Sequence, residues 1–263
     1  MVEKLTGREI LIYLCIDGKG DWDKVYGDIK RKRDLVPSEV RDVVSKCPYP
    51  AVTMLDPDYP DCFRRVDRPP FVLFYKGNFS LASYPHLLGV VGTRHPDAYG
   101  KEVTSKLVGE YCRKDPERVI VSGMAEGIDA LAEKTALENG CRIVSVLGSG
   151  IDVCYPSSSR ALFDSAGERS LLLSEYPSGV RPAAEHFPVR NRLIAGLSEV
   201  LLVTEGKMHS GTSITAHFAL ENNKDIACVP GSILSEFDLC NVFIREGAYP
   251  ILETKDLEDL FRK

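Results

Sequence analysis

Several short segments of the chain carry residue types suited to gripping an anion. Gly92-Thr93-Arg94 places a glycine, a hydroxyl and a guanidinium fork directly after the apolar run Leu87–Val91. Glycine allows a sharp turn and close approach of a ligand, and the arginine fork matches phosphate geometry. The same three residues also read as an ordinary turn with a surface arginine. Ser122–Asp129 sets Gly123 and Gly127 around a turn and puts Asp129 in the first turn of a helix. There the carboxylate either ties the loop to the helix N-terminus or serves as a general base. Gly148-Ser149-Gly150 offers backbone amides to an anion. Glu175 ends another apolar run, Ser170–Ser174. After Val203 the chain runs Glu205-Gly206-Lys207-Met208-His209-Ser210-Gly211-Thr212, and Ser210 and Gly211 stand where a helix begins. A helix N-terminus with free amides is an anion site, and Lys207 and His209 sit just before it.

The densest basic feature is His186–Ser198, with Arg190, Asn191 and Arg192 beside Phe187. The apolar pattern predicts a helix over about 190–197. Cations at its start would oppose the helix dipole. They therefore imply either a carboxylate partner, with Glu175 and Glu205 available, or a bound polyanion. Phe187 fits either a base-stacking role or the core. Several such loops suit a row of phosphates better than a single nucleotide.

Ligands of an open α/β sheet bind outside the strand C-termini, so these loops must share one edge of a sheet. The elements that would do so are legible as an alternation. Apolar strands are predicted at 87–91, 118–122, 142–147, 170–174, 200–203 and 225–229. Helices are predicted at about 99–111, 127–138, 158–166, 190–197, 211–222 and 241–245. Apolar strands alternating with helices define an α/β fold, an extended Rossmann-like parallel sheet with helices on both faces. Right-handed crossovers would bring all the strand C-termini to one edge. The dinucleotide fingerprint is missing, since Gly92 is followed by Thr93, Arg94 and His95 and the next glycine is Gly100. Residues 1–48 read as a short helical segment, with an apolar patch at Ile10–Leu14, a helix opening at Pro37 and the basic run Lys30–Arg33 between them. Residues 49–80 are rich in turns around the strand-like Phe71–Tyr75 and connect into the sheet. The Rossmann-like domain spans 49–254, and 255–263 is a closing helix.

Composition narrows the function. A net charge of −5 argues against a surface that is basic all round, while leaving room for a local basic groove. No apolar run reaches the length of a membrane helix, and Met1–Thr6 lacks the layout of an export signal, so a cytoplasmic protein with no membrane partner is expected. The eight cysteines are scattered with no CxxC pair, which predicts buried thiols and no metal site. No cofactor is expected. No Ser/His/Asp or Cys/His arrangement is legible, so the chain reads as a binding protein, not an enzyme. The alternative is a Rossmann-like nucleotide-binding hydrolase with Asp129, Glu175 or Glu205 as base.

These segments resemble the bacterial DNA-processing protein A (DprA/Smf) family over about residues 52–252. The resemblance rests on Leu55–Pro60, Val72–Gly77, Val91–Arg94, Val121–Gly123, Gly127–Asp129, Val146–Asp152, Tyr155-Pro156 and Leu173–Glu175. It continues through His186–Ser198, Ser210-Gly211, Ile214–Ala216, Val229–Ser232 and Ile244–Ala248. It implies sequence-independent binding of single-stranded DNA in natural transformation, protection of the incoming strand and help in loading the RecA recombinase. It also implies a homodimer formed through the C-terminal part of the domain. By motif, Gly92, Thr93 and Arg94 would shape the pocket and hold phosphate, and Gly123, Gly148 and Ser149 would give close backbone approach. Arg190, Asn191, Arg192, Lys207, Ser210 and Gly211 would complete or brace it. Glu126, Glu133, Ser157 and Ser159 depart from the family pattern and would strip positive charge from the rim. The winged-helix domain of many relatives is not expected after the core.

Overall fold

A computed structural model describes residues 4–262. Residues 1–3, part of the N-terminal stretch tested above for an export signal, and residue 263 lie outside the described residues. Nine strands form a single sheet among the described residues: β1 (Ala51–Thr53), β2 (Val72–Gly77), β3 (Leu87–Val91), β4 (Val119–Ser122), β5 (Arg142–Val146), β6 (Ser170–Ser174), β7 (Val200–Val203), β8 (Asp225–Cys228) and β9 (Tyr249–Pro250). Their spatial order is β1-β2-β6-β5-β4-β3-β7-β8-β9. From β6 to β9 every pairing is parallel. The strands β3 to β8 are almost wholly buried, which is why they read as continuous apolar runs.

Two strands depart from the all-parallel expectation. β2 pairs antiparallel with β6, and β1 antiparallel with β2, so the sheet is mixed and mostly parallel. The segment expected to be a connector thus extends the sheet and covers the β6 edge. Val72, Leu73 and Phe74 are buried there on both faces, each removing apolar area worth about 1.5–3 kcal/mol from water.

The strand order reverses beside β3. β4, β5 and β6 build out one way, and the chain then crosses back to place β7 on the other flank of β3. Helix α7 (His186–Leu197) makes that return and packs against α8 (Gly211–Glu221) and against β3, β4 and β5. The remaining covering helices are α4 (Ala98–Lys114), α5 (Ile128–Glu138), α6 (Arg160–Asp164), α9 (Leu239–Arg245) and α10 (Thr254–Leu260).

Three helices precede the sheet: α1 (Gly7–Asp17), α2 (Trp22–Lys30) and α3 (Pro37–Ser45). A Thr6–Glu9 capping box starts α1, and Leu11–Cys15 join one buried cluster with Phe74, Leu88 and Ile120. Helix α2 is not resolved by the sequence reading. Its cues are an Asp21 N-cap, bonded to the Lys24 amide, and the spacing Trp22, Val25, Tyr26, Ile29. The eight cysteines are free thiols; five are buried, while Cys47, Cys62 and Cys154 are only half-buried. No helix among the described residues is long and apolar enough to cross a membrane.

Candidate nucleic-acid interface

Two loops meet where the strand order reverses. The Thr93 amide donates to the Glu205 carbonyl (2.8 Å), joining the turn after β3 to the turn after β7. The Ile128 amide donates to the Thr93 carbonyl (3.2 Å), so the start of α5 is fixed to the same turn. Gly127 has φ 87°, and a side chain on it would collide with the Thr93 and Arg94 carbonyls. Only glycine lets these two loops pass so closely.

A pocket of about 590 Å³ opens over this junction. Nine of the thirteen residues singled out from the sequence line it: Gly92, Thr93, Arg94, Phe187, Arg190, Asn191, Lys207, Ser210 and Gly211. Arg94 is exposed and lies over the Phe187 ring, 5.3 Å from its centroid. Lys207 holds Glu236 at 2.6 Å across the surface, so an anion entering there must displace that carboxylate. Ser210 caps α8: its hydroxyl accepts from the Ser213 amide and donates to the Lys207 carbonyl (2.6 Å). The Gly211 and Thr212 amides, in the first turn, have no hydrogen-bond partner among the described residues. Free first-turn amides at the positive end of a helix attract anions. Asn191 Nδ2 donates to the Gly211 carbonyl (3.2 Å) and holds this helix start against α7.

Four of the thirteen do not line the pocket. A side chain on Gly123 would collide with the Arg190 guanidinium, and one on Gly148 would come within 2.8 Å of Phe187. Both glycines make room for the protein's own side chains and not for a ligand. Ser149 is buried and donates to the Val153 carbonyl (2.9 Å). Arg192 is buried, with both terminal nitrogens 2.6 Å from the Glu175 carboxylate. It also donates to the carbonyls of Asp67, Arg68 and Val189. Arg192 is a brace between α7, the end of β6 and the loop before β2.

The helix boundary explains this sorting. α7 begins at His186, four residues earlier than the pattern suggested, because Pro188 fits a first turn where no amide donor is needed. Arg190 and Arg192 therefore stand past the first turn, inside the protein. Arg190 is 3% exposed and donates to the carbonyls of Gly123 and Val146, at the ends of β4 and β5, and to Asn191 Oδ1. Burial holds its pKa below the usual arginine range.

Sequence reasoning missed Tyr155, which is 44% exposed, lines the pocket and packs on Phe187 at 5.4 Å. Its cue was an aromatic residue following the Gly148–Gly150 turn. Phe187 thus sits against Tyr155 and Arg94 at the pocket, and not solely in the core.

Acidic groups lie behind the cations. Asp129 lines the pocket, and burial pushes its pKa up to about 6 against the pull of Arg190 and of the Gly92 and Gly123 amides. Glu133, one helical turn on, is fully buried; both its carboxyl oxygens and Ser145 Oγ lack a hydrogen-bond partner. Burial first, and then the Asp129 charge, raise Glu133 to about 8. Neither Glu133 nor Ser159 is on the rim: Ser159 is buried and donates to the Met124 carbonyl (3.0 Å). Glu126 and Ser157 are exposed. Burial also lifts Glu205 to about 7, opposed by the Asp97 amide it accepts from.

Candidate anion-binding groups thus converge at the switch point of a mostly parallel, Rossmann-like sheet, where open α/β folds place their ligand sites. Residues 50–262 match the family described as DNA recombination-mediator protein A, and the chain belongs to that family. It is 40% identical to DNA processing protein DprA of Streptococcus pneumoniae over 210 residues, covering 80% of this chain and 73% of that one. It is likewise 40% identical to DprA of Bacillus subtilis, covering 76% and 67%. The crystal structure of the Streptococcus pneumoniae protein superposes with a TM-score of 0.81, at 31% identity and 98% coverage of both chains. DNA processing protein A of Helicobacter pylori, whose structure concerns its single-stranded DNA binding mode, superposes with a TM-score of 0.72 at 26% identity, covering 82% and 98%.

Two stability measurements follow from the buried charges. Arg192→Met leaves Glu175 buried and unpaired, so chemical denaturation should show a loss of about 3–5 kcal/mol. Glu133 has a folded pKa above its unfolded value, so the native state holds the extra proton between them. The part of wild-type stability that Glu133 controls is therefore greatest below the ordinary carboxylate range and declines as the pH rises toward about 8. Glu133→Gln stays neutral throughout. Its stability gain over wild type should be small near about pH 5 and reach up to about 4 kcal/mol near about pH 8. A gain that does not change with pH would contradict the buried-acid account.

Proposed function

We propose that this protein binds single-stranded DNA without sequence preference in the switch-point pocket, without chemically altering it. The observation that carries this reading is the convergence of Arg94, Lys207 and the free Gly211 and Thr212 amides on one pocket beside Phe187 and Tyr155. Cations and amides suit successive phosphates, and exposed rings suit unpaired bases of any identity. The single-stranded DNA binding of the Helicobacter pylori relative supports the same reading. Asn191 orients the α8 amides, and Arg190 and Arg192 fix the helix that carries Phe187.

Membership of a recombination-mediator family supports a role in natural transformation: protecting incoming strands in the bacterial cytoplasm and helping load the RecA recombinase. A homodimer through the C-terminal part of the domain is supported by exposed apolar side chains there. These are Ile214 and Leu220 on α8, and Tyr249 and Leu252 at and beside β9.

Arg94→Ala and Lys207→Ala should each weaken binding of an oligothymidylate about tenfold at low salt. Each should also flatten the log–log salt dependence by about 0.7, the share of one phosphate on a single strand. Unchanged affinity and slope in both variants would refute the pocket assignment.

The raised pKa of Asp129 favours one second reading, a nucleotide hydrolase that uses it as general base. Its carboxylate, however, is buried, and the neighbouring Gly92 and Gly123 amides favour its charged form, which suits a structural tie at the start of α5. Turnover of a nucleotide panel that disappears in Asp129→Asn would establish hydrolysis. The binding reading expects no product from wild type or variant.

A further inference from the structure

Helix α2 presents a second aromatic and basic surface. Trp22 stacks with Phe71 (5.2 Å between centroids, 25° between planes) and with Tyr26 (5.0 Å, 15°). Its indole nitrogen donates to the Pro69 carbonyl (2.9 Å), so the ring is held in place. Tyr26 is 45% exposed. The Arg68 guanidinium lies over the Trp22 ring at 5.6 Å. Arg31 and Arg33 pair with the buried Asp28, so this part of the basic run braces α2 and is not simply a solvated helix end. By contrast, Lys19, Lys24 and Lys30 are exposed and have no carboxylate within ion-pair distance among the described residues, the Lys24 ammonium donating instead to the Asp17 carbonyl (3.2 Å).

This surface is tied to the rim of the pocket. Gly20, in the turn before α2, lies so close to Tyr176 that a β-carbon on it would come within 2.9 Å of that ring. Tyr176 stacks on His186 (4.1 Å, 21°), and the His186 ring nitrogen sits 3.1 Å from the Gly148 carbonyl. The next residue is Phe187, in the pocket itself. From the other side, Arg192 holds the Asp67 and Arg68 carbonyls against α7. Both segments that form the α2 surface are thus anchored to the helix that starts at the pocket.

We propose that the Tyr26–Trp22–Arg68 surface is a second contact for single-stranded DNA, taken up by the strand after it leaves the switch-point pocket. A 590 Å³ pocket encloses only a short piece of a polynucleotide, so a longer strand must run on over neighbouring surface. A ring exposed on a rigid stack offers a platform to any base, and the arginine and lysines around it offer cations to the phosphates. The acidic Asp23 draws on Arg68 (3.0 Å), an exposed pair that a phosphate can replace at little cost. This inference rests on the single-strand reading above and extends its footprint onto the N-terminal helices.

The chain has one tryptophan, Trp22, which makes the test direct. The full chain is titrated with two labelled oligothymidylates, one just long enough to cross the pocket and one several times longer. Binding is followed by anisotropy and by tryptophan emission. Both strands should bind, and only the longer should change Trp22 emission. Tyr26→Ala should weaken the longer strand about tenfold, the worth of one stacked base, and leave the shorter unaffected. Tyr26→Phe keeps the ring and should bind both like wild type, and matching thermal melts of the two variants show that the fold is intact. If the longer strand binds with unchanged emission, or binds wild type and Tyr26→Ala equally, the second contact is refuted while the pocket stands. If wild type binds neither strand, the single-strand reading falls and this inference with it.

Discussion

The buried guanidinium of Arg190 is the interaction on which the rest of the architecture turns. A full charge is held away from water at the crossing point of the fold. The Gly123 and Val146 carbonyls, at the ends of two adjacent strands, together with Asn191, take three of its five donors. Asp129 and Glu133 supply the opposing field. An unsatisfied charge in this position would cost several kcal/mol, so α7 has one seat available across the strand ends. That seat fixes Phe187 on one side and, through Asn191, the first turn of α8 on the other. The pocket is what remains between two loops and two helices whose positions are set by buried polar bonds.

This arrangement separates stability from recognition among residues of the same type. Three arginines were candidates for the same task. Arg190, at the pocket wall, and Arg192, behind it, are buried and bonded to protein partners, whereas Arg94 is exposed over the pocket. The two buried ones place the helix; the exposed one is free to meet a ligand. Two carboxyls beneath the pocket, one with a pKa near 6 and one near 8, show that the local charge balance is not the one suggested by counting cations along the sequence.

Much of the fold was legible because buried parallel strands leave an unambiguous pattern. β3 to β8 were read within about one residue of their ends, and α5 and α8 nearly as closely. The antiparallel β1 and β2 were not placed, since direction in a sheet is a tertiary property that an apolar run such as Val72–Phe74 does not encode. Helix α2 was missed because its apolar face holds few residues and its composition is otherwise charged. At the site, loop glycines announced close approach but not what approaches. Gly123 and Gly148 face Arg190 and Phe187 from within the protein. Whether Arg192 would find Glu175 was left open between two readings, because partner choice depends on how β6 meets α7.

The central claim is that the switch point grips consecutive phosphates of an unpaired strand. A crystal structure of the protein with a bound oligothymidylate tests it most directly. The account expects adjacent phosphates within hydrogen-bond distance of Arg94, Lys207 and the Gly211 and Thr212 amides, with Glu236 released from Lys207 and a base against Phe187 or Tyr155. A strand lying elsewhere on the protein, with Lys207 still paired to Glu236, would contradict it.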